Sequence, residues 1–236
     1  MELVSAVIPT YNRFSFLLNT LKSIKNQTYK NIEIIVVNDA STDKEYYKYN
    51  WKKENIKIIH LKENSKEKIG FPCAGYVRNQ GIKEAKGKYI AFCDDDDIWL
   101  PKKIEIQMNE IKKTDVKMCS TDGLIGDGVY DPSKTYKKMN AEYHFMAHKK
   151  KYNDKKINFT DFPKFWDYDF ICVSNGIICS SVLIEKDLLK KIKMMDHIRN
   201  KEDLGCWKKA LKFTKNLYIK DICFYYDKCH GKGKNY

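Results

Sequence analysis

The chain has 236 residues, 43% of them hydrophobic, and carries 44 lysines and arginines against 31 aspartates and glutamates. This length allows a sizeable buried core and favours one large domain over two. No apolar run approaches the roughly 20 residues that a transmembrane helix needs. The N-terminus shows no basic segment followed by a cleavable apolar stretch, so we expect a soluble, cytoplasmic protein without a transmembrane segment.

The net charge of +13 comes almost entirely from lysine, because arginine occurs only at Arg13, Arg78 and Arg199. Nucleic-acid binding is a hypothesis that this charge raises. The lysines are scattered, however, and base-edge recognition relies on arginine, so we expect no nucleic-acid partner. The eight cysteines include no C-x-x-C pair, which argues against a zinc site and favours a reducing compartment.

The first half of the chain alternates short apolar runs with helical patterns. The runs that predict β-strands cover residues 3–8, 32–37, 56–61, 88–93 and 116–120. Apolar residues recur at helical spacing between the first two runs and again after Pro101, a residue type favoured at the first helical position. This alternation predicts an α/β fold with a mainly parallel sheet that helices cover on both faces.

The second half of the chain is less regular. From about Gly123 to Asp169 the pattern weakens into a segment rich in Tyr, Lys and Asn, which we interpret as a variable, mobile substrate loop. Regularity returns at residues 176–184. Helical patterns near 186–192 and 202–213 and a strand-like run at 217–226 follow.

An acidic run is the most informative feature of the sequence. Asp94, Asp95, Asp96 and Asp97 directly follow the predicted buried strand 88–93, where unpaired carboxylates repel one another. A hard divalent cation such as Mg²⁺ or Mn²⁺ would offset this repulsion. The alternative is an acidic turn that caps the helix after Pro101, although one Asp would suffice for a cap.

Three polar clusters follow predicted parallel strands. They are residues 9–13, 38–43 and 94–97. Because ligands of open α/β sheets bind at the carboxyl ends of the strands, we expect these clusters to meet at one edge of the sheet. The sequence therefore predicts one shared binding site there.

The ordered motifs resemble glycosyltransferase family 2, the inverting nucleotide-sugar transferases with a GT-A fold. The motifs that carry the resemblance are VIPTYN at 7–12, IVVNDASTD at 35–43, RNQG at 78–81, GKYIAFCDDDD at 87–97, the pair at 202–203 and a histidine at 230. The resemblance implies one GT-A domain over 1–236, with a nucleotide-sugar donor half at 1–120 and an acceptor half at 121–236 that contains the variable loop at about 123–169. Asn38, Ala40 and Val77 depart from the usual Asp, Gly and Ala, and the Arg often found before the C-terminal histidine is missing.

The resemblance also implies which residues bind the donor and acceptor. These are Pro9, Thr10, Tyr11, Asn12, Asp39, Arg78, Asp94, Asp95, Glu202 and Trp207. Asp39 would accept the ring N–H of uracil, and a turn at the strand end is the alternative. Arg78 would contact the donor diphosphate, and a surface salt bridge is the alternative. Trp207 would line the sugar site or belong to the core.

The catalytic groups follow from the same resemblance. Asp96 matches the last Asp of the DxD motif and would bind Mn²⁺ or Mg²⁺ directly, with His230 as a further metal ligand or an incidental residue. Either Asp95 or Asp97 would cap the next helix. Asp203 would act as general base, and the alternative for Glu202 and Asp203 is capping of a helix N-terminus.

The function implied is metal-dependent, inverting transfer of a sugar from a UDP-sugar to an acceptor hydroxyl. The acceptor, a carbohydrate, a lipid-linked glycan or a protein, is not specified by the sequence. A noncatalytic module that binds a nucleotide or glycan on the same fold is the alternative, although a degraded site would not need to keep Asp96 and Asp203.

Overall fold

The computed structural model describes residues 1–155 and 160–229. The strands are β1 (Val4–Thr10), β2 (Ile32–Asn38), β3 (Ile56–His60), β4 (Tyr89–Phe92), β5 (Ile98–Trp99), β6 (Met118–Gly126), β7 (Lys137–Lys138), β8 (Phe165–Trp166), β9 (Leu183–Glu185) and β10 (Asn216–Asp227). The helices are α1 (Phe14–Lys25), α2 (Glu45–Lys48), α3 (Ser65–Ile69), α4 (Ala74–Glu84), α5 (Lys103–Ile111), α6 (Phe145–Asp154), α7 (Tyr168–Val173), α8 (Lys186–Lys191) and α9 (Glu202–Ala210). A π-helical turn spans Met139–Tyr143, and a 3₁₀ turn spans Cys179–Ser181.

Within the described residues, the strands form one sheet in the order β3-β2-β1-β4-β9-β6-β10-β5, with β7 beside β6 and β8 beside β10. β3, β2, β1 and β4 pair in parallel, as do β6 and β10. β9 is antiparallel to both β4 and β6 and joins the two parallel groups. In register, Thr10 lies opposite Asn38, and Asn38 lies opposite His60, so the first strands end at one edge.

Helices cover both faces of the sheet, as the alternation of runs predicts. Successive residues of β1 point to opposite faces, so that Ala6 and Ile8 join one core and Val7 joins the other. The first core contains apolar residues of α1 and α5, such as Leu17 and Met108. The second contains those of α4, α8 and α9. The α/β architecture with a largely parallel sheet is therefore confirmed.

The helix predicted after Pro101 is α5, which begins at Lys103, and β5 and a turn lie between it and the acidic run. The segment from Gly123 to Asp169, interpreted from the sequence as a loop, contains defined elements, including β7, α6 and β8. Its π-helical turn is fixed by Asp122, whose buried carboxylate accepts the N–H of Asn140 at 2.9 Å and that of Ala141 at 3.0 Å. Among the described helices, none has both the length and the apolar composition that crossing a bilayer requires.

Candidate active site

Asn12 joins the loops that follow β1 and β2. Its Oδ1 accepts the N–H of Thr42 at 2.9 Å and that of Asp43 at 3.3 Å, and its own N–H donates to Ser41 Oγ at 2.9 Å. Asn12 and Ala40 both adopt left-handed backbone conformations, with φ of 50° and 54°. Two of the predicted polar clusters therefore form one continuous loop surface at the carboxyl edge of the sheet.

Asp39 lies beneath this surface and is fully buried. Its Oδ1 accepts the N–H of Ser65 at 2.7 Å, and its Oδ2 accepts the Ser65 hydroxyl at 2.6 Å and the Asn64 amide at 3.2 Å. Burial raises the pKa of Asp39, and the hydrogen bonds from Ser65 oppose that shift. In this structure the carboxylate fixes the start of α3. For Asp39 to bind a nucleotide base, its hydrogen bonds with Asn64 and Ser65 would have to break and the turn at these residues would have to move.

The loop after β1 is held by Tyr46 from α2. The Tyr46 hydroxyl lies 2.6 Å from Thr10 Oγ1 and accepts the N–H of Arg13 at 3.0 Å. Thr10 is fully buried, and Pro9 is buried as the penultimate residue of β1. Tyr11 is half-buried, so its ring is the more accessible of the side chains at this position.

Arg13 contacts the acidic run. Its Nη1 donates to Asp95 Oδ1 at 3.0 Å and to Asp96 Oδ2 at 2.7 Å, and all three side chains are at most 8% exposed. The Thr20 hydroxyl donates to the carbonyl oxygens of Asp95 and Asp97, at 3.0 and 2.8 Å, and holds the turn against α1. Asp95 and Asp97 therefore do not cap α5, which corrects the capping alternative.

Burial is the main electrostatic feature of the run. It raises the pKa of Asp95, Asp96 and Asp97 above the usual range of a carboxyl, and neighbouring carboxylates add to the shift at Asp96 and Asp97. Arg13 opposes the shift at Asp95 and Asp96. One Oδ2 atom each of Asp95 and Asp97 is buried without a hydrogen-bond partner among the described residues. The charge repulsion at Asp95 and Asp96 is therefore opposed mainly by Arg13.

Asp94 differs from its three neighbours because it faces an open cleft of about 420 Å³. The cleft is lined by Arg78, Asp94, Asn175, Ile177, Ile178, Cys179, Asn200, Glu202, Asp203 and Tyr226. Arg78 donates to Asp94 Oδ1 at 2.5 Å and to Glu202 Oε1 at 3.3 Å. The guanidinium thus bridges carboxylates from two parts of the chain, and the alternative of a surface salt bridge is wrong because Arg78 is buried.

The RNQG motif explains how α4 and α9 come together at the cleft. Asn79 donates to the carbonyl of Met195 at 2.8 Å and accepts its N–H at 3.1 Å, which fixes the segment before α9. A Cβ on Gly81 would lie 2.6 Å from Val7, so glycine allows α4 to pack tightly on the sheet. A Cβ on Gly75 would lie 2.8 Å from Glu202, and glycine there brings Glu202 within reach of Arg78.

The general-base candidate lies at the start of α9. Glu202 and Asp203 form the first turn of this helix, and the carboxylate of Asp203 accepts the N–H of Leu204 at 2.6 Å. Burial raises the pKa of Asp203, and the charge of Arg78 opposes this effect. Trp207 does not line the cleft, which corrects its assignment to the substrate: it is fully buried and packs on Phe92. His230 lies outside the described residues.

The residues present have the chemistry, though not a complete ligand set, for a divalent cation. No group of three or more His, Cys, Asp or Glu side chains within 1–155 and 160–229 is arranged to hold a metal by itself. Carboxylate oxygens are the ligands that Mg²⁺ and Mn²⁺ prefer, and Mg²⁺ commonly takes one or two carboxylates together with substrate phosphates. Asp94 faces the cleft, and Asp96 follows it by two residues but is held by Arg13.

Sequence reasoning missed several residues that shape the site. Arg13 belongs to the predicted polar cluster 9–13, but its contact with the acidic run was not predicted, although the rarity of arginine in this chain was a usable signal. Ser180, which accepts the N–H of Asp94 at 3.0 Å, carried no such signal because a partner 86 positions away cannot be inferred without the fold. Gly75 and Tyr46 were missed for the same reason.

Residues 5–175 match the family described as Glycosyl transferase family 2. The chain is 32% identical over 212 residues to the Escherichia coli UDP-Glc:alpha-D-GlcNAc-diphosphoundecaprenol beta-1,3-glucosyltransferase WfaP, covering 88% of this chain and 69% of that protein. It is 29% identical over 227 residues to the Bacillus subtilis (strain 168) putative teichuronic acid biosynthesis glycosyltransferase TuaG, covering 94% and 77%. The chain spans as little as 14% of the length of the curated relatives that it matches.

The fold is similar to that of S. aureus TarS 1-349, solved in complex with UDP-GlcNAc. The TM-score is 0.70 at 19% sequence identity, and the match covers 96% of this chain and 58% of that one. At this identity the similarity shows the fold alone, and it confirms the GT-A architecture expected from the motifs.

Proposed function

The chain belongs to glycosyl transferase family 2, and from this premise we propose that it transfers a sugar from a nucleotide-sugar to an acceptor hydroxyl in the cleft between α4 and α9. The observation that carries the proposal is the arrangement of Asp94, Arg78, Glu202 and Asp203 around one open cavity of about 420 Å³. UDP is the proposed carrier, since WfaP is named for UDP-Glc and TarS was solved with UDP-GlcNAc.

Asp203 is the proposed general base. The acceptor hydroxyl attacks the anomeric carbon, its proton passes to the Asp203 carboxylate, and the bond between the sugar and the diphosphate breaks with inversion. Burial raises the pKa of Asp203, which makes its carboxylate a better proton acceptor than an exposed one. Its place in the first turn of α9 fixes the carboxylate at the wall of the cleft.

Arg78 organises this wall. By holding Asp94 and Glu202 at once, it fixes the distance between the acidic run and the start of α9. We propose that a donor diphosphate replaces Glu202 as a hydrogen-bond partner of the Arg78 guanidinium. A fork of N–H donors suits phosphate oxygens as well as carboxylates. Glu202, released from Arg78, would then be available to a hydroxyl of the acceptor.

The charges of the site make a cation part of the proposal. Six carboxyl groups stand in the cleft and the acidic run, at Asp94–Asp97, Glu202 and Asp203, and the guanidinium groups of Arg13 and Arg78 contact four of them. An anionic diphosphate entering beside these carboxylates would be repelled. Asp94 and Asp96 would hold Mn²⁺ or Mg²⁺ together with the donor phosphates. When bound, the cation supplies charge neutralisation of the leaving diphosphate.

Hydrolysis and transfer screens with purified protein test this function. We expect release of the nucleotide from a UDP-sugar in the presence of Mn²⁺ or Mg²⁺, and its loss with EDTA. The Asp94→Asn variant should lose at least about 100-fold in turnover, since Arg78 contacts this carboxylate and the cation would bind to it. Asp187→Asn is the matched control, because its side chain is 90% exposed on α8. Turnover that persists in EDTA would refute the proposed metal dependence. Absence of turnover with any nucleotide-sugar would refute the proposed function.

A further inference from the structure

A second cavity, of about 290 Å³, adjoins the catalytic cleft. The same two residues, Asn175 and Ile178, line both cavities. The other lining residues of the second cavity are Asn140, His144, Ala147, His148, Lys151, Ser174 and Gly176. They come from the π-helical turn, from α6 and from the segment after α7. The two cavities therefore lie side by side, with Asn175 and Ile178 between them.

The two cavities differ in charge. Three carboxylates line the catalytic cleft, whereas the described residues that line the second cavity include none. Lys151 supplies an ammonium group there, and two imidazoles lie beside it. Burial lowers the pKa of His148 to about 4, and burial followed by the charge of Lys151 lowers that of His144. Both rings are therefore neutral near pH 7 and offer polar nitrogen atoms rather than charge.

Polar groups in the second cavity are held in place. His148 Nδ1 lies 2.7 Å from Ser174 Oγ, and both residues are buried. The Asn140 amide donates to the carbonyl of Gly176 at 2.9 Å, while its Oδ1 is buried without a hydrogen-bond partner among the described residues. Gly176 has no room for a side chain, because a Cβ would lie 3.0 Å from Trp166. The polar groups at the wall of the cavity are thus held in fixed positions.

We propose that the second cavity is the acceptor subsite and that it takes a phosphate group of the acceptor. The inference rests on the proposed function and adds the chemical class of the acceptor. Once the donor diphosphate and its cation occupy the cleft, the phosphate of the acceptor is repelled by Glu202 and Asp203 and attracted by Lys151. An acceptor that carries both groups is therefore oriented, with its phosphate in the second cavity and its hydroxyl at Asp203.

The phosphate could belong to a small molecule or to the head of a lipid, and both present the same oxygen atoms to the cavity. Glycerol 1-phosphate is the probe for the shared chemistry, and glycerol is its uncharged control. Each compound is titrated into the protein, and binding is followed by the ring C–H resonances of His144 and His148 in NMR spectra. The titration is done with saturating UDP and Mg²⁺, so that the donor site is already filled.

We expect glycerol 1-phosphate to shift both histidine resonances to a plateau, and glycerol to leave them unchanged. Lys151→Ala should weaken this binding about tenfold, the loss expected for one charge-assisted contact. Lys150→Ala is the matched control, since this neighbour is exposed and does not line the cavity. Vesicles that carry a phosphate-linked lipid, compared with neutral vesicles, then separate a lipid source from a soluble one.

Two failures are distinguishable. If UDP does not bind with Mg²⁺ and no nucleotide-sugar is turned over, the proposed function is wrong. If UDP binds but glycerol 1-phosphate leaves the histidines unshifted, the acceptor subsite is wrong while the function stands. The assignment of a phosphate would be overturned if the Lys151→Ala and Lys150→Ala variants bound glycerol 1-phosphate with equal affinity. It would also be overturned if glycerol shifted the histidine resonances as much as glycerol 1-phosphate does.

Discussion

Replacing Arg13 by Met tests the electrostatic account of the acidic run. The guanidinium contacts Asp95 at 3.0 Å and Asp96 at 2.7 Å, and the three side chains are at most 8% exposed. Removing one partner of a buried ion pair costs about 3–5 kcal/mol, because the remaining charge is left without compensation. We therefore expect Arg13→Met to lower the free energy of unfolding by about 3–5 kcal/mol near neutral pH.

The loss should depend on pH. Burial holds the pKa of Asp95 and Asp96 above the value of the unfolded chain, so the folded state binds more protons, and stability from this cluster is lost as pH rises. Without Arg13 both pKa values rise further. The deficit of Arg13→Met should therefore be largest at about pH 8 and at least about 1 kcal/mol smaller at about pH 5, where more of the carboxyls are protonated.

Urea unfolding at a series of pH values measures this effect. Arg199→Met is the matched control, because Arg199 is exposed and should change stability by less than about 0.5 kcal/mol. Combining Arg13→Met with Asp95→Asn should recover about 1–3 kcal/mol relative to additivity. A deficit below about 1 kcal/mol at pH 8, or one that does not change with pH, would refute the reasoning.

Three further predictions concern the folded state. Ala40→Gly should raise the free energy of unfolding by about 1 kcal/mol, since Ala40 has a φ of 54°, and a loss in urea unfolding would contradict this. Burial lowers the pKa of Lys103 to about 8, and its ammonium contacts Gln107 at 2.6 Å. Lys103→Met should therefore stabilise the protein by about 1–2 kcal/mol near pH 7. This gain in stability should shrink from about pH 8 toward pH 10, as the wild-type lysine loses its charge. A variant that is less stable than the wild type at pH 7 would contradict this prediction. Gly75→Ala should cost about 1–3 kcal/mol, because its Cβ would lie 2.8 Å from Glu202, and a thermal midpoint equal to that of the wild type would contradict the tight packing.

Much of the fold could be predicted because the parallel strands are short, apolar and followed by polar clusters. The predicted strand at residues 32–37 corresponds closely to β2 at Ile32–Asn38. The region of β7, α6 and β8 was missed because its order depends on distant contacts rather than on periodicity. Asp122, for example, fixes a turn 18 positions later, and β8 pairs with β10.

The candidate site was predictable in part. The rule for parallel sheets placed the loops after β1, β2 and β4 at one edge, and the structure brings them together there. What the sequence could not reveal is how charges pair within this edge. Arg13 and Asp96 are 83 positions apart, and Arg78 and Glu202 are 124 apart, so their contacts follow only from the packing of α1, α4 and α9. The burial of Asp39 and Trp207 likewise depends on neighbours that are remote in sequence.

The most direct test of the central claim compares binding and turnover in Asp203→Asn. Asn keeps the size of the side chain but cannot take up the acceptor proton. We predict that the Kd for UDP stays within about threefold of the wild-type value, while sugar transfer falls at least about 100-fold, the lower end of what a general base contributes. Transfer at the wild-type rate would contradict the assignment of Asp203 as the general base. Wild-type protein that binds UDP but turns over no nucleotide-sugar would instead indicate a noncatalytic binding module on this fold.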